Sequence, residues 1–144
     1  MFRRLALVGL ALALTACVAP ASTFAAYEED AANTAETVLS AVETARLTVR
    51  ISDGKAFPPT VTILFEEAED DAAGAQSTFD SVQPPDERSD QLREELDRLL
   101  SEAVTTLADL RIAARRSELA SIPSIAEPLE SLSTRLEDFA EAHS

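Results

Sequence analysis

The feature that most restricts the fold is a row of apolar and small residues in the second half of the chain: Leu92, Leu96, Leu99, Ala103, Thr106, Leu110, Ala113 and Ser117. Their spacing alternates between four and three, which places them on one side of a helix in the manner of left-handed bundles. A strand could not gather this set, because its side chains change face at every residue. The same recurrence appears three more times. Ala31, Ala35, Val38, Val42, Ala45 and Val49 form one stripe; Val61, Leu64, Ala68, Ala72, Ala75, Phe79 and Val82 form another; Ile125, Leu129, Leu132, Leu136 and Phe139 form the last.

Helix breakers separate the stripes. Gly54 suits a left-handed C-cap, with Phe57 expected to seal that end of the bundle. Pro58-Pro59 suits a first turn, where N–H groups need no intrahelical partner. Pro84-Pro85 forces an extended break, after which Asp86 or Ser89 is placed to cap. The segment Ser121 to Pro128 holds two prolines and a capping-box pair, Ser124 with Glu127. The spacing therefore predicts helices over about 30–52, 58–82, 87–119 and 125–142. Connections this short favour antiparallel neighbours, so the expected all-α fold of residues 30–144 is an up-down-up-down antiparallel four-helix bundle. With no Trp and many Ala, its core should be thin. Leu100 and Leu107 flank the third stripe and could serve a homodimer, although a monomer is the expectation.

Ahead of the helices, Met1 to Arg4 is basic, Leu5 to Leu14 is apolar, and Leu14-Thr15-Ala16-Cys17 follows at once. This is the order of a secretory signal. The last four residues resemble the lipobox of bacterial lipoproteins, which has an aliphatic residue, two small residues and a cysteine. The resemblance implies a diacylglyceryl group on the Cys17 thiol and cleavage after Ala16. Residues 1–16 are then a signal peptide, and 17–29 are the lipidated cysteine with a flexible tether. The protein would sit on the extracytoplasmic face of the cell membrane. Each buried acyl methylene contributes about 0.8 kcal/mol, so two or three chains hold durably where one does not. Cys17 is the only cysteine, so no disulfide within the chain competes for it. Two other readings stay open: Ala19-Pro20-Ala21 could serve an ordinary signal peptidase, and the uncharged stretch from Leu5 to Ala26 could remain as an uncleaved anchor.

Charge narrows the partners. Acidic residues outnumber basic ones 26 to 12, giving −14, and loss of Arg3 and Arg4 with the leader takes this to −16. Nucleic acid is not an expected partner, because phosphate binding needs a basic face. Lying flat on anionic headgroups is disfavoured for the same reason. A solvated surface accounts for most of this charge, and a cation or basic partner is the functional alternative.

The inventory for catalysis is poor. The only histidine, His143, is the second-last residue and reads as a frayed tail. No Ser-His pair, His-based zinc site, Cys-x-x-Cys-His haem motif or Glu-x-x-His di-iron motif is present, so no catalytic residue, metal or cofactor is expected. Glu66, Glu67 and Asp70 share one helix face and could hold a divalent cation weakly. Glu69 points elsewhere, and Asp71 lies near the apolar stripe. Pairing by index sums puts Asp71 near Arg98, Arg111 near Glu130, Arg115 near Glu127 and Glu36 near Arg135. Such structural ion pairs are worth about 0 to 1 kcal/mol each when exposed.

Asp109 to Arg116 and Ser81 to Pro85 resemble segments of actinobacterial exported helical proteins, a likeness that implies no particular chemistry. Two functional expectations follow. The first is a membrane-anchored, non-enzymatic binding or structural lipoprotein that meets an envelope protein or ligand. The alternative is a cation- or small-ligand-binding lipoprotein that uses the acidic face of the second helix.

Overall fold

The computed structural model describes residues 23–52 and 58–144. The chain is helical: α1 (Phe24–Ser52), α2 (Pro58–Asp80), α3 (Glu87–Arg115), a 3-10 turn (Leu119–Ser121), the short α4 (Ile122–Ile125) and α5 (Leu129–Ala142). No strand occurs among the described residues. No helix among them is long and apolar enough to cross a membrane. The lipobox residues Leu14, Thr15, Ala16 and Cys17, and also Gly54 and Phe57, lie outside the described residues.

α1 starts at Phe24, six residues before the expected boundary, so residues 24–29 are helix and not tether. The local reason is Thr23, whose hydroxyl accepts the Ala26 N–H at 3.2 Å and caps the first turn. Tyr27 then falls in phase with the apolar stripe and is fully buried against Phe79, with ring centroids 5.3 Å apart. This added turn carries an aromatic anchor of the core.

α3 starts where Asp86 accepts the Ser89 N–H. It stops at Arg115, four residues short of the expected end. Ser117 takes a left-handed conformation (φ 59°), Glu118 N–H donates to Ala113 O, and Ser117 N–H donates to Ala114 O. This is a Schellman motif with serine where glycine is usual. The reversal sends Leu119 and Ile122 back toward the core, where Ile122 is buried. The expected capping box does not form: Ser124 lies inside α4, its hydroxyl donating to Ser121 O, and α5 starts behind Pro128 with no side-chain cap.

α1 packs against α2, α3 and α5, and α3 packs against α1, α2 and α5, whereas α2 and α5 hardly meet. The inner face of α1 explains this. Ala31, Ala35, Ala41 and Ala45 are buried there and Ala103 is buried on α3, so these two helices approach closely. Because α3 is flanked on three sides, its buried face is wider than one stripe. Leu100 and Leu107 are fully buried in the core and offer nothing to a second copy. In the first turns of α2 the buried large residue is Phe65, while Leu64 is half-buried and Ile63 is 60% exposed.

Candidate functional site

Charged seams close the gaps between helices, in a different pairing from the expected one. Between α2 and α3, Arg111 pairs with Glu69 and Arg115 with Glu66, the latter at 2.7 Å. Arg111 therefore does not seek Glu130, nor Arg115 Glu127. Part of the offset is the lean of helical side chains toward their own N-terminus, about one residue for each side chain. In helices joined by a tight turn, each side chain tip lies level with an earlier residue of its own helix. Contacting residues then have a higher index sum than backbone positions at the same level. Pairs summed on the Pro84-Pro85 turn alone, such as Asp71 with Arg98, miss by several residues. Asp71 lines a groove between α1 and α2, and Arg98 lines a depression between α3 and α5.

Between α1 and α5, Glu43 is the hub. The Ser133 hydroxyl donates to it at 2.5 Å, and Arg46 reaches both Glu43 and the Ser133 oxygen. The Ser133 hydrogen bond, followed by that of Arg46, holds the Glu43 carboxyl below its ordinary pKa. Glu130 lies 4.0 Å from Arg46. Arg135 crosses to Glu102 on α3 at 2.6 Å, and not to Glu36, which faces outward on α1. Glu127 lines a depression with Arg46 and Arg50. His143 is not frayed: its Nδ1 lies 3.0 Å from Glu28 Oε1, and its ring rests 4.6 Å from that of Phe139.

One polar cluster enters the core. Arg93 donates to Asp80 O at 2.8 Å and to Val82 O at 3.2 Å, which satisfies carbonyls at the C-terminal end of α2. Its guanidinium also lies 5.7 Å from the Phe79 ring centre and 3.8 Å from an Asp97 oxygen. The Tyr27 hydroxyl and Asp97 Oδ1 are buried with no hydrogen-bond partner. Burial raises the pKa of both groups; Asp80 adds to the rise at Asp97, and Arg93 opposes it at both. With two orphaned oxygens near it, Arg93 clamps the C-terminal end of α2 to α3 through backbone carbonyls. The sequence signal available for it was Arg93 and Asp97 at four-residue spacing.

The acidic face of α2 is divided. Glu66 is held by Arg115, while Glu67 and Asp70 face solvent. Among the described residues no group of three or more His, Cys, Asp or Glu side chains is arranged to hold a metal ion. The arrangement that remains is the groove between α1 and α2, with a volume of about 350 Å³. It is formed by residues at helical spacing on both sides: Asp30, Asn33, Thr34 and Thr37 from α1, and Asp71, Gly74, Ala75 and Thr78 from α2. Phe79 and Val82 close one end.

Comparison with protein-family models, with curated proteins and with solved structures returns no match for the chain.

Proposed function

We propose that the protein is a lipid-anchored lipoprotein on the extracytoplasmic face of the cell membrane, and that its helical body is a non-enzymatic binding or structural module. The observation that carries this is the run Leu14-Thr15-Ala16-Cys17 directly behind a basic and then apolar leader. The start of α1 at Phe24 adds to it. Only residues 18–23 would separate the lipidated cysteine from the helix, a reach of about 20 Å when extended. The body would then stand close to the bilayer, and its acidic surface would keep it off anionic headgroups.

We read the long helices as an up-down-up-down bundle in the order α1, α2, α3, α5. Support comes from pairs that join early residues of one helix to late residues of its neighbour: Tyr27 with Phe79, Arg93 with Asp80, and Glu28 with His143. Charged side chains of adjacent helices satisfy one another, which suits a rigid scaffold better than a reactive centre.

The deciding experiment is mass spectrometry of the N-terminal peptide from exported protein. The expected first residue is Cys17 carrying acyl chains. A chain that begins after Ala21, or one that retains Met1, would replace this reading with a secreted or an uncleaved form.

A further inference from the structure

The groove between α1 and α2 differs from four larger depressions among the described residues. Each of those includes an arginine or the histidine beside its acids: Arg98, Arg135 and His143 in one, Arg46 and Arg50 in a second, His143 in a third and Arg50 in a fourth. No basic side chain lines the α1–α2 groove.

Its hydroxyls are also committed in one sense. Thr34 donates to Asp30 O at 2.7 Å, Thr37 to Asn33 O at 2.9 Å and Thr78 to Gly74 O at 2.8 Å. A hydroxyl has one proton, so once that is spent on the helix backbone only lone pairs remain for a ligand. With the carboxylates of Asp30 and Asp71 and the Asn33 amide oxygen, the rim offers six acceptor groups, and the Asn33 amide nitrogen is its only side-chain donor. A ligand that satisfies this rim must bring N–H groups and positive charge.

The floor requires something else. Phe79 is buried, Val82 and Ala75 are half-buried, and a Cβ added at Gly74 would meet nothing within 4 Å. Open apolar surface there suits methylene groups. The two carboxylates also lie toward opposite ends. Thr37 and Asp71 sit at one end, and Asp30 and Thr78 at the other, about seven residues or 10 Å along the helix axis. That separation suits charges at the ends of an aliphatic chain and is too large for a single metal ion.

We propose that the groove between α1 and α2 binds a linear aliphatic polyamine, with its terminal ammonium groups on Asp30 and Asp71 and its methylenes over Ala75 and the opening at Gly74, against Phe79 at the Asp30 end. The site belongs to the helical body and is independent of whether Cys17 carries lipid. The overall negative charge raises the local concentration of such cations.

Titration of the purified protein with spermidine, followed by calorimetry and amide chemical shifts, tests this. The expected result is saturable binding with shifts confined to residues 30–37 and 71–82. Asp30→Asn with Asp71→Asn should weaken binding at least tenfold. Gly74→Leu, which fills the opening without a clash, should do the same without lowering the melting temperature. Butylamine should bind at least tenfold more weakly than spermidine. Glu67→Gln, on the solvent side of α2, should leave affinity within twofold. Absence of saturation at millimolar spermidine would overturn the proposal. So would equal loss in Glu67→Gln and the double Asn variant, which is diffuse counterion attraction, or unchanged affinity in Gly74→Leu.

Discussion

His143 Nδ1 and Glu28 Oε1 lie 3.0 Å apart, so the final turn of the chain is fastened to the first turns of α1. The imidazole, just past the end of α5, also packs on Phe139 four residues earlier. An aromatic contact of this kind is worth about 0.5 to 1.5 kcal/mol. His143→Ala should therefore destabilise the protein by about 1 kcal/mol in urea unfolding, and faster exchange of amide hydrogens should appear near Glu28 and in the last turn of α5. A change confined to the last two residues would show that the contact does no fastening.

Ser117 holds a conformation that costs an L-residue about 1 to 2 kcal/mol and glycine almost nothing. Ser117→Gly should stabilise the fold by about 0.5 to 1 kcal/mol, after allowance for the extra freedom glycine has when unfolded. Ser117→Val should destabilise it by a similar amount or more. Thermal melting of the two variants beside the parent reads both signs.

Asp86 accepts hydrogen bonds from the Ser89 N–H at 2.9 Å and the Ser89 hydroxyl at 2.8 Å, and these hold its pKa below the ordinary value. A carboxyl whose pKa is depressed by folding adds stability above its unfolded pKa, and that stability is lost as pH falls through the folded one. Asp86→Ala should lower the melting temperature at neutral pH. Asp86→Asn should keep most of the cap while removing this group's share of the acid sensitivity, which melts between neutral and strongly acidic pH would show.

Asp97 has the opposite sign. Burial, with Asp80 adding to it and Arg93 opposing, raises its pKa, so folding favours the protonated acid. Its contribution is fully present below the unfolded pKa and fades as pH rises through the folded value. Asp97→Asn should raise the melting temperature at neutral pH, with the gain shrinking toward about pH 4, where aspartate titrates in the unfolded chain. A lower melting temperature at neutral pH would mean that the contact with Arg93 outweighs desolvation.

The width of α3's buried face has its own test. Leu100→Ala should cost about 2 to 5 kcal/mol, as expected for a leucine buried without exposure. Ile63→Ala, on the solvent side of α2, should change stability by less than about 0.5 kcal/mol.

Helical character and phase were legible along the run from Leu92 to Ala113, every member of which is buried where the spacing puts it, although Leu100 and Leu107 are buried beside it and the helix expected over 125–142 is divided into α4 and α5. Legibility failed where neighbouring residues compete. At Val61 to Phe65 four of five residues are apolar, and the phase is set by which of them fills the space, which proved to be Phe65 and not Leu64. Ser117 hid a helix end because the left-handed turn is usually marked by glycine. Tyr27 was missed because the residues around it read as tether. The ion pairs were out of reach of index sums because they depend on side-chain lean and on which helices touch. The groove was half visible: Asp71 stood out beside the stripe, but its partner Asp30 is identified only by the packing of α1 on α2.

The two ends of the described chain share one pole of the molecule, where Ser144 lies in the same depression as Ala25 and Glu29. A short linker from Ser144 to Thr23 would therefore close the body into a ring, and new ends could be opened elsewhere, as circular permutants allow. It also means that a fluorescent domain fused after Ser144 would emerge beside the start of α1 and compete for space with whatever holds that start in place. A reporter inserted at the opposite pole would stand clear.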